Sequence, residues 1–134
     1  MSKKMTVELE FPMSAVRKAL EVECQKRGIA FEEGDVRVNL YRTFVGGSGF
    51  VVRKGSMTGS IFGDIGFLDN GSGNCRVVHD DSIHGEAAQL LQDVQTSAAV
   101  AFVQQQAQAN GFDLSGEITE DDEAVYIDLT QGGF

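Results

Sequence analysis

The sequence predicts an α+β fold, a mainly antiparallel sheet with two helices packed on one face, in the order β-α-β-β-β-β-α-β-β. Two segments repeat apolar residues at helical spacing, several short segments alternate polar and apolar residues, and glycine-rich turns separate those short segments. Of the 134 residues, 42% are hydrophobic and 23% are charged. This composition is typical of a single globular domain over residues 1–134, in which 131–134 would form a loose tail.

The first helix is predicted after a strand in "TVELEF". Pro12 follows that strand, at a position suited to the first turn of a helix. Gly28 comes directly after Lys26 and Arg27, where a glycine commonly ends a helix. Between these limits apolar residues recur at every fourth position, which predicts a buried stripe of Val16, Leu20 and Cys24.

The middle of the chain predicts an antiparallel meander. We expect "DVRVNLYRTFV" to form a strand and "GGSG", at 46–49, to form the hairpin turn before "FVVRK". A third strand, "SIFGDIGFL", leads through the turn "DNGSGN" into "CRVVH". In the first of these strands, alternation predicts one apolar face formed by Val36, Val38, Leu40 and Phe44.

A long second helix is predicted from Asp81 to Asn110, followed by two strands in "FDLSGEI" and "AVYIDLT". Asp81 or Ser82 suits the N-cap, because a side-chain oxygen there accepts hydrogen bonds from free backbone N–H groups. His84 and Glu86 would then lie in the first turn. The Asn-Gly pair at the far end favours a left-handed cap.

Charge is distributed unevenly along the chain. The net charge is −9, yet all 11 Lys and Arg lie between Lys3 and Arg76, and 11 of the 20 acidic residues lie in 77–134. Nucleic-acid binding requires Lys and Arg to replace counterions on the phosphates, so we expect no nucleic-acid partner for this part. A basic protein partner or a cation suits it better. A solvated surface that only favours solubility is the alternative.

The cysteines and the apolar segments of the sequence predict the compartment and the need for cofactors. Cys24 and Cys75 lie far apart without a neighbouring cysteine, which favours reduced thiols and argues against a redox or zinc pair. The first residues alternate polar and apolar side chains, so we expect no signal peptide, and no apolar run has the length of a membrane span. We therefore expect a cytoplasmic protein with no membrane association and no cofactor.

The stretch "VVHDDSIHGE" holds both histidines of the chain and is the candidate for chemistry. If its turn folds tightly, His79, Asp81 and His84 would converge on a metal ion, with Asp64 adding an oxygen ligand. The spacing is not that of a known metal motif, and the change from strand to helix explains the stretch as well. A small-ligand pocket near Asp64 and Arg76 is a further alternative. We predict no catalytic residue.

Self-association is predicted from the second helix. Between Ala87 and Asn110 its only charged residue is Asp93, whereas an exposed helix normally carries several charges. One apolar stripe would face the sheet and a second would remain uncovered. We expect a homodimer that buries the second stripe, or cover by another segment of the same chain. The interface candidates are Ala99, Val100, Val103 and Ala107.

From about Leu20 onward the chain resembles the Domain of Unknown Function 1257 family, small uncharacterised proteins of cyanobacteria and plastid genomes. The matching segments include "DVRVNLY", "GDIGFLDNG", "VVHD", "LLQDVQTSAAV", "QANGF" and "VYIDL". The family usually has an alanine-like residue where His79 stands, so histidine chemistry would be peculiar to this chain. The resemblance implies the same order of strands and helices, and it implies an accessory role beside an AAA-type ATPase, since members are often encoded next to one.

The leading functional hypothesis is a non-enzymatic binding or adaptor protein that acts through protein contacts. The absence of catalytic motifs and the uneven charge favour it. The rivals are a small metal-dependent enzyme that uses His79, Asp81, His84 and Asp64, and a small-ligand binder in the same region.

Overall fold

The structure, a computed structural model, describes residues 3–57 and 63–111 and the strands at 118–120 and 125–127. It confirms the predicted α+β class and the predicted order of strands and helices. A short 3-10 turn at Lys54–Ser56 is an addition to that order. The elements are β1 (Lys4–Pro12), α1 (Met13–Arg27), β2 (Glu32–Leu40), β3 (Thr43–Val52), β4 (Ile65–Asp69), β5 (Asn74–Asp80), α2 (Gly85–Ala109), β6 (Ile118–Glu120) and β7 (Val125–Ile127).

Five antiparallel strands form one sheet in the order β1-β5-β4-β3-β2. The strands β6 and β7 pair with each other in a separate ribbon, and β7 approaches α2. In the described part of the chain no helix combines the length and the apolar character needed to cross a membrane. The predicted tail at 131–134 lies outside the described residues.

Both helices pack on one face of the sheet, where they form the larger core with strand residues such as Phe67 and Val77. The predicted stripe of α1 is buried, and Gly28 ends the helix in the left-handed conformation (φ 68°). The two helices run antiparallel, since Ser14 contacts Gln105 while Arg27 contacts Asp93. The buried stripe residues are Val16, Leu20 and Cys24.

The second helix begins later than predicted. It starts at Gly85, and His84 occupies the N-cap position without a side-chain hydrogen bond to the described backbone. The predicted cap Asp81 is engaged elsewhere, because its carboxylate accepts a hydrogen bond from Lys3 N at 2.9 Å. The predicted end is confirmed: α2 stops at Ala109, and Gly111 adopts a positive φ of 81°.

The hairpin turn between β2 and β3 is also displaced from the prediction. Strand pairing runs up to Leu40 opposite Thr43, so the turn consists of Tyr41 and Arg42, and Arg42 adopts a left-handed φ of 61°. The segment "GGSG" therefore lies inside β3. A tight turn reverses the chain before the alternating pattern ends, which is why the pattern suggested one long strand.

Phe44 consequently does not join the apolar face predicted for it. It comes after the turn, and 53% of its surface is exposed. The guanidinium of Arg37 lies over its ring, 3.7 Å from the ring centre, and shields part of it from water through a cation–π contact.

The opposite face of the sheet is covered by the curled β2–β3 ribbon, residues 34–48. β3 pairs with β4 only through residues 49–52, whereas it pairs with β2 along nearly its whole length. Its other half, with β2, bends back over the sheet until Asn39 O accepts a hydrogen bond from Asp64 N at 2.8 Å. The bend encloses a second, smaller core of Val36, Val38, Leu40, Val51, Leu68 and Val78.

Candidate functional site

The sequence stretch with both histidines is divided between the two faces of the sheet. Side chains alternate along β5, so that Val77 and His79 point to the helices while Val78 and Asp80 point to the β2–β3 ribbon. By the same alternation in β4, Asp64 lies on the ribbon side with Leu68. The predicted partners His79 and Asp64 are therefore separated by the sheet itself.

The other members of the predicted metal group are dispersed as well. His79 is buried, and its Nδ1 lies 2.6 Å from the carbonyl oxygen of Asp80. Asp81 binds the backbone of Lys3, and His84 is exposed at the start of α2. Within residues 3–57 and 63–111, no three His, Cys, Asp or Glu side chains come together as metal ligands would. His79, Asp81, His84 and Asp64 therefore do not come together, and the alternative of a metal site at these four residues is not supported.

Asp64 instead uses its carboxylate to bind backbone. Its Oδ1 accepts a hydrogen bond from Lys54 N at 2.9 Å, and its Oδ2 accepts bonds from Asn39 N and Arg53 Nη1, each at 2.9 Å. The side chain is 4% exposed. Three donors satisfy much of what a buried carboxylate requires, so the role of Asp64 is to hold β2 and the 3-10 turn against the end of β4.

Asp80 makes a second connection to the same ribbon. Its carboxylate accepts a hydrogen bond from Tyr41 N, at 3.2 Å to Oδ2, in the hairpin turn. Burial raises the pKa of Asp80, and the bond from Tyr41 opposes that rise without cancelling it. We call Asp64 and Asp80 the carboxylate anchors, because both fix the β2–β3 ribbon to the sheet.

Arg76 is the other residue of the predicted ligand pocket, and that pocket stays a prediction. It lies in β5 between Glu8 of β1 and Leu68 of β4. Its Nε is buried without a hydrogen-bond partner among the described residues. Neither the groove between α1 and α2 nor the cavity beside β3 is lined by Arg76 or Asp64.

A shallow groove runs between the outer edges of α1 and α2. Its volume is about 150 Å³, and it lies open to solvent. Val22 is 38% exposed there, and Lys18 and Lys26 also line the groove, although the Lys26 amine is paired with Glu23 Oε2 at 3.3 Å. An apolar floor beside Lys18 suits an apolar group that carries a neighbouring carboxylate. The lining consists of Lys18, Ala19, Val22, Lys26, Ser97, Val100, Ala101 and Gln104.

A buried charge network sets the spacing of the two helices beside this groove. Glu23 accepts hydrogen bonds from Ser97 Oγ at 2.6 Å and Arg27 Nη1 at 3.0 Å, and Arg27 Nη2 reaches Asp93 at 2.5 Å. Burial acts to raise the pKa of Glu23, but bonds from Ser97, Arg27 and Lys26 outweigh it, so that the pKa is lowered. The sequence contains one signal of this network, since Asp93 is the only charged residue of α2 beyond its first turn.

The second cavity, of about 190 Å³, lies between the β2–β3 ribbon, the start of α1 and the end of β4. Its two carboxylates already have partners. Glu33 is paired with Arg17 at 2.9 Å, and Asp69 Oδ1 accepts bonds from the N–H groups of Gly71 and Gly73. These carboxylates serve local structure, so this cavity is the weaker candidate.

The predicted dimer stripe on α2 is partly covered. Ala107 is only 6% exposed, and Ala99, Val100 and Val103 are half-buried. Val100 lines the groove, and β7 approaches the helix. The stripe therefore offers a partner less surface than its sequence suggested, and its role in a homodimer stays a prediction.

The predicted acidic surface lies largely beyond the described side chains. Seven of its 11 acids fall in residues 112–134. Of the other four, Asp80 is buried and Asp93 is paired with Arg27, which leaves Asp81 and Glu86 exposed. Binding of a basic partner to this part of the chain stays a prediction.

The two cysteines are free and buried. Burial raises the pKa of the Cys75 thiol to about 12 and also raises that of Cys24. Since the thiolate is the reactive form, both side chains serve as apolar core residues.

Comparisons with known proteins found no matching family model, curated protein or solved structure. The resemblance to the Domain of Unknown Function 1257 family therefore stays a prediction.

Proposed function

We propose that the protein is a cytoplasmic, non-enzymatic binding module that docks a segment of a partner protein in the groove between α1 and α2. The observation that carries this proposal is the exposed apolar floor at Val22, flanked by Lys18 and Lys26. The occupant that fits is a partner segment in which an apolar side chain enters the groove and an adjacent carboxylate meets a lysine.

The size of the groove favours a protein segment over a small molecule. Small-molecule pockets usually measure about 300–1,000 Å³ and bury most of their ligand. The groove has about 150 Å³ and is open, which suits one or two side chains of a docked chain. In other proteins an amphipathic segment likewise docks by placing its apolar side chains in a hydrophobic groove.

A binding role agrees with how the candidate chemical residues are used. Asp64 and Asp80 bind the backbone of the β2–β3 ribbon, and Nδ1 of His79 contacts a carbonyl oxygen. Each of these side chains therefore has a structural task. The resemblance in sequence extends the proposal to a specific class of partner, an AAA-type ATPase, for which the protein would be an adaptor.

Two labelled peptides test the proposal, an amphipathic peptide of leucine and glutamate and its counterpart of leucine and lysine. We expect the glutamate peptide to bind, because Lys18 attracts it, and we expect binding to weaken as salt rises. Backbone amide NMR shifts should map to Ala19, Val22, Val100 and Ala101. Equal binding of the lysine peptide, or shifts that map elsewhere, would refute the groove as the site.

Variants make the test specific. Val22→Glu places a charge on the apolar floor, and Lys18→Glu reverses the rim, so both should weaken the glutamate peptide by at least tenfold. Lys54→Glu is the matched control, since Lys54 is exposed on the 3-10 turn away from the groove. A metal-dependent enzyme would instead be indicated by stoichiometric metal in purified protein that is lost in His79→Ala.

A further inference from the structure

We propose a second interaction surface, independent of the groove: the outer edge of β1 pairs with the same strand of a second copy of the chain. Among the described strands, β1 pairs only with β5, so no described strand occupies its other edge. An open edge presents unpaired N–H and C=O groups that another strand can bind.

The hydrogen-bond pattern shows which groups face outward. Asp81 N donates to Lys3 O at 2.9 Å, which makes Lys3 a hydrogen-bonded position of the ladder with β5. Such positions alternate along an antiparallel pair, so Met5 and Val7 also bond to β5. The N–H and C=O groups of Lys4, Thr6 and Glu8 therefore point away from the sheet.

Exposed apolar side chains accompany this edge. Met5 is 42% exposed and Val7 is 37% exposed, and both lie on the face that carries the helices. They are two of the four large hydrophobic side chains that stand out as exposed in the described residues. A second strand placed alongside β1 would cover both.

The segment Lys4–Glu8, "KMTVE", is complementary to itself in an antiparallel pair. A two-fold axis at Thr6 places each Lys4 opposite a Glu8, each Met5 opposite a Val7, and the two Thr6 residues opposite each other. Opposite charges, apolar pairs and threonine pairs are the favourable cross-strand combinations. The outward backbone groups of Lys4, Thr6 and Glu8 then meet their equivalents in the second copy.

The structure of β1 selects this register. Beyond Glu8 the pairing with β5 shifts in a bulge, and the strand ends at Pro12, which has no N–H. An axis at Val7 would extend the pairing to Glu10, inside the bulge. An axis at Glu8 would bring two glutamates together. Pairing about Thr6 uses only the regular segment. Each copy contributes its β1 edge to one contact, so the assembly closes as a dimer.

Charge reversal tests this interface. The chain has a mass of 14.5 kDa, and we expect light scattering at about 100 µM to report twice that mass. Lys4→Glu and Glu8→Lys should each be monomeric, because each places like charges opposite each other. An equimolar mixture of the two variants should dimerise again, since one variant then carries two acidic side chains at this edge and the other carries two basic ones. This rescue cannot result from misfolding of either variant.

A backbone variant provides the second arm. Thr6→Pro removes an outward N–H but no bond to β5, so the melting temperature of the fold should be kept while the dimer is lost. Glu8→Lys also removes the hydrogen bond from Asn70, so Asn70→Ala serves as its control and should stay dimeric. A wild-type monomer, failed rescue in the mixture, or a dimer that persists in Thr6→Pro would overturn the proposal. A dimer lost in Val103→Glu instead would assign the interface to α2.

Discussion

Val38 of β2 packs directly on the backbone of Gly66 in β4, although β3 lies between these strands in the sheet order. A β-carbon on Gly66 would come within 2.3 Å of Val38 Cγ2. Only the curl of the β2–β3 ribbon allows this contact, and only glycine leaves room for it. The pair therefore reports whether the ribbon is closed over the sheet.

Gly66→Ala should destabilise the fold by about 1–3 kcal/mol, because the branched Val38 side chain must move away. Val38→Ala should cost about 2 kcal/mol through the cavity it leaves. In the double variant the new methyl group fills part of that cavity, so the loss should be smaller than the sum, as measured by urea unfolding. Gly46→Ala is the control, since its added methyl group meets only Val36 O, at 3.9 Å. Additive losses would contradict the direct contact.

Asp64→Ala should lower the free energy of unfolding by roughly 3 kcal/mol, because the N–H groups of Asn39 and Lys54 and the guanidinium of Arg53 lose their acceptor. Asp64→Asn keeps one acceptor oxygen and should cost about half as much. Glu32→Gln weakens the other ion pair of Arg53, at the exposed end, and should change stability little. Hydrogen exchange at Asn39 should accelerate in Asp64→Ala. An unchanged exchange rate would show that Asp64 does not anchor the ribbon.

Asp80 should make the stability of the fold depend on pH. Its raised pKa means that the folded state holds the proton more tightly than the unfolded chain does. The stabilising contribution of Asp80 to the free energy of unfolding is therefore complete below its unfolded pKa of about 4. This contribution is lost as pH rises through the higher folded-state pKa. Asp80→Asn keeps an acceptor for Tyr41 and removes this loss. Its melting temperature relative to wild type should rise from pH 4 towards neutrality; a constant difference would contradict the assignment.

Glu23→Ala should destabilise the pair of helices by about 3 kcal/mol, since it leaves Ser97 and a buried part of Arg27 without their acceptor. Because the pKa of Glu23 is lowered, its contribution is present at neutral pH and lost as pH falls through the folded-state pKa. Glu21→Ala on the same helix is the control, and loss of its exposed pair with Arg17 should change stability little. Denaturant unfolding at pH 7 and at pH 3 would measure both effects. Equal losses in the two variants would contradict the buried network.

The elements with local signals could be predicted from the sequence. The start of α1 after Pro12 and its end at Gly28 each depend on one residue and its neighbours, and both were confirmed. The hairpin turn was missed because Arg42 adopts a left-handed conformation, which a glycine more often provides. The glycines of 46–49, which suggested a turn, serve instead in the bent part of β3.

The candidate sites depend on contacts that no local pattern reports. Asp64 binds Asn39 N and Lys54 N, from 25 and 10 positions earlier in the chain. The groove joins Val22 to Val100 across two helices. Sequence spacing suggested that His79 and Asp64 approach each other. The alternation of side chains along β4 and β5 places them on opposite faces of the sheet.

The position of the carboxylate anchors along the chain has a consequence for synthesis. A ribosome produces the β2–β3 ribbon before either anchor, because Asp64 follows Asn39 by 25 residues and Asp80 follows Tyr41 by 39. Until then, Val36, Val38 and Leu40 have no sheet to cover. The β2–β3 hairpin of the nascent chain therefore leaves these apolar side chains uncovered while the next strands emerge. It can fold over the sheet only when β5 is complete.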